Sequence, residues 1–139
     1  MIRRATDGDI SRIMQIRHDV RENKLSDPAR VTIDDVRWFI ANPGVFVWEE
    51  DGVIVGFSAA DTRDGSIWAL FVDQAFEKRG IGRALFERAC AVLKQAGHER
   101  MWLTTGPGTR AEAFYRAAGW KAVGRKGSDL LFEANIPEP

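Results

Sequence analysis

The clearest chemical signal in the chain is the run Lys78-Arg79-Gly80-Ile81-Gly82-Arg83. It follows an apolar segment, Leu70-Phe71-Val72, and a short loop. It opens an amphipathic stretch with Ile81, Leu85, Ala89, Leu93 and Ala96 on one helical face, closed by Gly97. The first turn of a helix holds backbone N–H groups without intrahelical partners, at the positive end of the helix dipole. A phosphate or pyrophosphate fits there when no side chain covers the backbone. Gly80 and Gly82 leave that backbone bare, and Lys78, Arg79 and Arg83 add positive charge. The same glycines would also serve tight packing of helix on strand. The position between a strand and a helix, with three basic neighbours, favours the anion site.

Other reactive residue types lack such a setting. His18 falls on a helix and His98 in a loop, and with Cys90 they give no metal-ligand spacing, so no metal is expected. Cys90 lies in mid-helix with no neighbouring histidine, the setting of a packed thiol. Trp38, Trp48, Trp68, Trp102 and Trp120 are spread through predicted elements and are expected first of all in the core.

The elements that must position the glycine run follow from period and punctuation. Ile2 to Ala5 reads as a strand. Thr6 with Asp9 forms a capping-box pair before a helix carrying Ile10, Ile13, Met14 and Val20, with Ile16 slightly off the stripe. The polar residues 21–30, with Pro28, end that helix. Thr32 and Asp35 start a second one, faced by Ile33, Val36, Phe39 and Ile40 and stopped by Asn42-Pro43-Gly44. Val45 to Glu49, Val53 to Ala60 and Ser66 to Val72 then read as strands joined at Asp51-Gly52 and Asp64-Gly65. After the glycine-led helix come a strand, Met101 to Thr105, and a helix opened by the capping-box pair Thr109 and Glu112 and closed at Gly119. A final hairpin, Trp120 to Arg125 and Ser128 to Glu133, turns at Lys126-Gly127. Hairpins in the middle and strand–helix–strand steps afterwards predict a single-domain α/β fold over residues 1–139, a mixed, mainly antiparallel central sheet flanked by helices.

The bulk composition narrows the function classes. The 139 residues carry 20 basic and 20 acidic side chains, so a general attraction to nucleic acid or an anionic membrane is not expected. One cysteine excludes an internal disulfide framework, in keeping with a reducing compartment. No apolar run approaches the about 20 residues of a membrane span, and MIRRATDGDI has no apolar stretch after its charges. A cytoplasmic location is the expectation.

The glycine run resembles the acetyl-CoA loop of the GNAT superfamily of acetyl-CoA-dependent N-acetyltransferases, whose pattern is Gln/Arg-x-x-Gly-x-Gly/Ala. Here it reads Glu77-Lys78-Arg79-Gly80-Ile81-Gly82, with Glu77 as the departure. A second family signature, aromatic-Tyr-x-x-x-Gly-aromatic, is matched about thirty residues on by Phe114-Tyr115-Arg116-Ala117-Ala118-Gly119-Trp120. The Asn that usually precedes this tyrosine by seven residues is Gly108 here. The predicted element order is similar to the family's from first strand to last.

What the resemblance implies is specific. Acetyl-CoA is the co-substrate, its pyrophosphate held by backbone N–H groups between Lys78 and Arg83. Leu70, Phe71 and Val72 pair with its pantetheine arm like an added strand, and one of their N–H groups stabilises the oxyanion. Tyr115 protonates the departing CoA thiolate, a phenol with an ordinary value near ~10 remaining protonated at neutral pH. The general base stays open: Asp61, Asp64, Asp73, Glu49 and Glu112 qualify by type and none by spacing. The branch acting on ribosomal protein N-termini usually has a Glu where this chain has Leu103-Thr104-Thr105, which favours a small-molecule amine acceptor over a peptide N-terminus. A non-catalytic acyl-CoA sensor is the other alternative. Arg17, Arg21 and Glu22 fall where the family walls its acceptor site, though a solvated helix face explains each equally. Homodimerisation through an edge strand or the C-terminal hairpin is also implied.

Overall fold

The computed structural model describes residues 1–20 and 32–136. Residues 21–30, predicted to end the first helix, and with them Arg21 and Glu22, lie outside the described residues. In chain order the elements are β1 (Ile2–Arg4), α1 (Ile10–Val20), α2 (Ile33–Ala41), β2 (Val45–Glu50), β3 (Val53–Asp61), β4 (Ser66–Val72), α3 (Ile81–Gln95), β5 (Arg100–Thr105), α4 (Arg110–Ala117), β6 (Lys121–Lys126) and β7 (Asp129–Asn135). Short 3-10 turns at Asp7–Asp9 and Gln74–Phe76 precede α1 and α3.

The strands form one sheet in the order β1-β2-β3-β4-β5-β7-β6. Every neighbouring pair is antiparallel except β4 with β5, so the expected mixed, mainly antiparallel sheet is what the chain forms. The strand–helix–strand step through α3 makes the parallel pair. The step through α4 does not, because it delivers β6 to the outer edge and β7 returns to fill the place beside β5.

Side chains alternate across the strands and divide the core between the two faces. On one face α1 and α2 bring Ile10, Ile13, Val36 and Phe39 onto Val45, Val47 and Phe57. On the other, Ile81 and Leu85 of α3 meet Val55, and Ala89, Leu93 and Tyr115 meet Leu103 and Phe132. α3 can lie close on β3 because position 56 is glycine: a Cβ there would come within 3.0 Å of both Leu85 Cδ1 and the Phe71 carbonyl oxygen. The buried Ser58 hydroxyl, donating to the Leu85 carbonyl at 2.8 Å, pins the same contact.

The capping boxes of Thr6 with Asp9 and Thr32 with Asp35 are both formed. The third is half formed. Thr109 Oγ1 accepts from the Glu112 N–H at 3.2 Å, but the Glu112 carboxylate reaches past Thr109 to the Gly108 N–H at 2.7 Å. Four packing expectations are corrected. Ile16, three residues beyond Ile13, is 1% exposed and belongs to the core. Ile33 is 53% exposed, because the first helical residue after the cap points outward. Ala96 is exposed at the C-cap of α3. Trp38 is an exposed side chain with the Arg63 guanidinium 4.1 Å over its ring.

Candidate active site

β4 and β5 pair at a single position, Ser66 opposite Trp102. Beyond it, β4 stays paired to β3 as far as Val72, and β5 to β7 as far as Thr105. Each strand is held on its outer side and released on its inner side. The sheet therefore splits toward Val72 and Thr105, and a cleft of about 750 Å³ occupies the split.

The antiparallel ladder decides which groups of β4 face this cleft. The Asp73 N–H donates to the Val55 carbonyl at 2.7 Å, and Phe71 stands opposite Phe57. N–H directions alternate along a strand, so the Phe71 N–H points to β3 while those of Leu70 and Val72 point into the split. Of the three predicted residues, Leu70 and Val72 offer edge N–H groups and Phe71 offers its side chain on the α1/α2 face.

The glycine run forms the adjoining wall. Lys78 and Gly80 both have left-handed backbones, with φ of +66° and +80°, which curls the loop into the start of α3. Left-handed residues in such a curl gather successive N–H groups on one side, an anion-binding arrangement. The first intrahelical bond runs from the Ala84 N–H to the Gly80 carbonyl at 3.1 Å, so the N–H groups of Ile81, Gly82 and Arg83 precede the ladder. A Cβ at Gly80 would meet nothing within 4 Å, and one at Gly82 would meet Val72 Cγ2 at 3.5 Å, an ordinary contact. The space beside this backbone is open. Lys78, Gly80, Gly82 and Arg83 line the cleft. The Ile81 side chain is core, leaving only its backbone for the site, and Arg79 lies over the Phe76 ring at 5.0 Å, away from the cleft wall.

Tyr115 reaches the cleft from α4, wedged among aromatic rings. Its centroid lies 5.3 Å from Phe114, 5.4 Å from Trp120 and 6.3 Å from Phe132. The ring is 6% exposed and lines the cleft. Among the described residues its hydroxyl has no hydrogen-bond partner, and none of their side-chain oxygens is both sealed from solvent and unpartnered. The hydroxyl therefore opens on the cleft. Burial pushes the phenol above its ordinary range, with the neighbouring Cys90 adding to the rise, which corrects the expectation of an ordinary phenol.

The five acidic residues named as general bases by type are all engaged elsewhere, and none lines the cleft. Asp61 ion-pairs with Arg63 at 2.8 Å and caps its N–H, which holds the carboxyl below its usual range. It sits at the Ser66 end of β4, the closed end of the split. Asp64 accepts from the Ser66 N–H at 3.0 Å. Asp73 caps Ala75 and meets Arg12 at 3.4 Å, and Glu49 pairs with Arg3 at 3.0 Å. Glu112 is held below the usual carboxyl range by the Gly108 N–H and by Arg116. Of the remaining reactive types, His98 Nε2 lies 2.8 Å from the Thr62 carbonyl, His18 is exposed, and burial pushes the Cys90 thiol up to about 12. Among the described residues no three His, Cys, Asp or Glu side chains are grouped to hold a metal ion, and no helix is long and apolar enough to cross a membrane.

The family model described as the acetyltransferase (GNAT) family matches residues 10–120. This chain belongs to the GNAT acetyltransferase family. The match spans the glycine run before α3, the split strands and the Tyr115 helix. A mycothiol acetyltransferase of Beutenbergia cavernae is 33% identical over 67% of this chain and 35% of its own length, so the chain spans about a third of that relative. The fold itself is shared with the PaiA N-acetyltransferase of Thermoplasma acidophilum in complex with coenzyme A. That pair has a TM-score of 0.78 at 15% identity, covering 97% of this chain and 98% of the other. It is shared also with YncA of Salmonella typhimurium, a putative acetyltransferase with its cofactor acetyl-CoA. There the TM-score is 0.76 at 21% identity, covering 100% and 95%.

Of the cleft residues of this GNAT chain that were not found from sequence, Arg110, Thr104 and Asp129 bear on its chemistry. Arg110, the first residue of α4, lies 3.7 Å from Glu77 across the cleft. Its place directly after the N-cap Thr109 was a usable signal, since α4 begins beside the same cleft. Thr104 and Asp129 also line the cleft. For Asp129, at the start of β7, no local pattern exists, because what brings it here is pairing between β7 and β5.

Proposed function

We propose that residues 1–139 form one domain that transfers the acetyl group of acetyl-CoA to a primary amine of a small molecule, by direct attack in a ternary complex. The observation that carries this is the split between β4 and β5, which opens between the amides of α3's first turn and the hydroxyl of Tyr115. Family and fold fix the class of site but not the acceptor.

The residues suit the co-substrate part by part. The N–H groups of Ile81, Gly82 and Arg83 would take the pyrophosphate, with Lys78 and Arg83 adding charge at its edge. The free edge of β4 would pair with the amide-bearing arm as an added strand, and the Leu70 or Val72 N–H would donate to the carbonyl oxygen as charge develops there. Tyr115 stays protonated throughout the neutral range, so it holds a proton where the sulfur departs. Its strongly apolar setting makes a lasting phenolate costly, which calls for rapid return of a proton to the ring oxygen.

Thiol release from acetyl-CoA with a panel of amines and peptides tests the reading. A primary amine that raises thiol release well above the acetyl-CoA-only rate is the expected result. Saturable CoA binding with no amine-dependent release would make the chain a sensor instead, and a peptide as the best acceptor would shift it to N-terminal acetylation.

We also place the chain in the cytoplasm, as its single buried thiol supports. Of the two edges of the sheet, β1 and β6, the longer is β6, whose six residues are all exposed, and it is the edge we propose for homodimerisation. Antiparallel self-pairing about Val123 and Gly124 would set Lys121 against Lys126, and like charges placed directly opposite repel. A dimer through this edge should strengthen with salt, and solution mass at low and high ionic strength reads that directly. A dimer that weakens with salt would place the contact elsewhere.

A further inference from the structure

Residues from both faces of the sheet line the cleft, which gives it a mouth on each face. The glycine run and Tyr115 open on the α3/α4 face. On the α1/α2 face the lining comes from Phe71, Arg17 of α1, Thr104 and Asp129. Strand alternation fixes the last two. Met101, Leu103, Leu130 and Phe132 pack toward α3 and α4, so Thr104 and Asp129 point to the opposite side. β7 pairs with β5 at Thr105 opposite Leu130, which sets Asp129 beside the end of β5, away from the one β4–β5 pair at Ser66 and Trp102.

Among the described residues two carboxylates line the cleft, Glu77 and Asp129. Glu77 lies at the phosphate end and is paired with Arg110. Asp129 is at the other mouth, and among the described residues it enters no ion pair. An acceptor approaching a thioester held from the α3 side must enter by this second mouth. A primary amine arrives as an ammonium at neutral pH, since alkyl ammonium groups titrate near ~10.

We propose that Asp129 is the residue that receives the acceptor's ammonium group and takes its first proton, so that the acceptor is a cationic primary amine. This rests on the acetyltransferase reading above. The ammonium gives one proton to an Asp129 carboxylate oxygen, freeing the nitrogen lone pair. The N–C bond then forms at the thioester carbonyl carbon and the C–S bond breaks, its electron pair leaving on sulfur. The sulfur takes the proton of the Tyr115 hydroxyl. The second proton lost by nitrogen, as the amide forms, returns to that oxygen, and the proton on Asp129 passes to solvent.

The test compares the wild type with Asp129→Asn and Asp129→Glu, using putrescine, phenethylamine, glucosamine and glycine as cationic or zwitterionic amines. Hydroxylamine, uncharged at neutral pH, serves as the neutral nucleophile. Asp129→Asn should raise the KM of the best cationic amine about ten- to a hundredfold, as expected for loss of a charge-assisted hydrogen bond. The KM of acetyl-CoA should hold steady, hydroxylamine turnover should be retained, and Asp129→Glu should recover part of the loss. A rise in melting temperature on adding CoA certifies each variant as folded, and Asp129→Ser replaces the Asn variant if that one lacks it. Unchanged amine KM in the folded variant, or an equal loss with hydroxylamine, overturns the proposal. Wild type that binds CoA but acetylates none of these nucleophiles overturns the transferase reading together with it.

Discussion

The two mouths of the cleft are built from different materials. On the α3/α4 side the polar groups proposed to bind are mostly backbone: the N–H groups of α3's first turn and the free edge of β4. Their chemistry is the same whatever side chains the positions carry, so that mouth is vulnerable to added bulk rather than to lost groups. On the α1/α2 side the polar groups are side chains drawn from three separate elements, Arg17, Thr104 and Asp129. There the reverse holds, since each group is lost with its residue. A family can keep one co-substrate and change acceptors on such a plan, because the two halves answer to different kinds of substitution. Tyr115 is the side chain in that half whose proposed role no backbone group could take over, whereas Lys78 and Arg83 only add charge at its edge.

Loss of that role should give the largest effect. Tyr115→Phe keeps the ring among Phe114, Trp120 and Phe132 and removes only the hydroxyl. Turnover should fall about a hundred- to ten-thousandfold, the usual span for a general acid, with acetyl-CoA affinity little changed. Wild-type turnover in this variant would make the proton come from solvent and return Tyr115 to packing. Its stability profile sharpens the point. Because burial raises the folded phenol above its unfolded value near ~10, the native state is favoured fully below that pH and loses the contribution as pH rises past it. Alkaline denaturation of Tyr115→Phe should lack this share of the decline.

Next in size is bulk set against the backbone wall. Gly82→Val adds a side chain beside the open amides, yet its Cβ meets only Val72 Cγ2 at 3.5 Å. The fold should persist while CoA affinity drops on the order of ten- to a hundredfold, the loss of about one charge-assisted hydrogen bond. Undiminished CoA binding measured by calorimetry would put the pyrophosphate elsewhere.

The smallest effect concerns Glu77, the family's Gln/Arg position. Its carboxylate faces Arg110 at 3.7 Å in the cleft, where a pyrophosphate held as proposed would compete for the same cation. Glu77→Gln should tighten CoA binding a few-fold. Stability should move within the ~0–1 kcal/mol of a partly exposed pair. Weaker CoA binding in that variant would instead show Glu77 ordering Arg110 for the ligand.

What the sequence by itself determined about this protein is local in origin. Thr6 with Asp9 and Thr32 with Asp35 announce their helix starts because a capping box needs only four residues. Gly80 and Gly82 mark an open helix N-terminus for the same reason, and Tyr115 was singled out by the resemblance of Phe114-Tyr115-Arg116-Ala117-Ala118-Gly119-Trp120 to a family signature. The tertiary structure alone decided the rest. That β4 and β5 meet only at Ser66 and Trp102 depends on β3 and β7 pulling from opposite sides, through pairings between distant residues. Pairing of β7 with β5 likewise brought Asp129 to the cleft, and tertiary packing set Arg3 on Glu49 and Arg12 on Asp73. Asp61, Asp64 and Glu112 met their partners within four residues, so only their distance from the cleft was a tertiary matter, because the space a carboxylate faces is set by chain segments far from it in sequence.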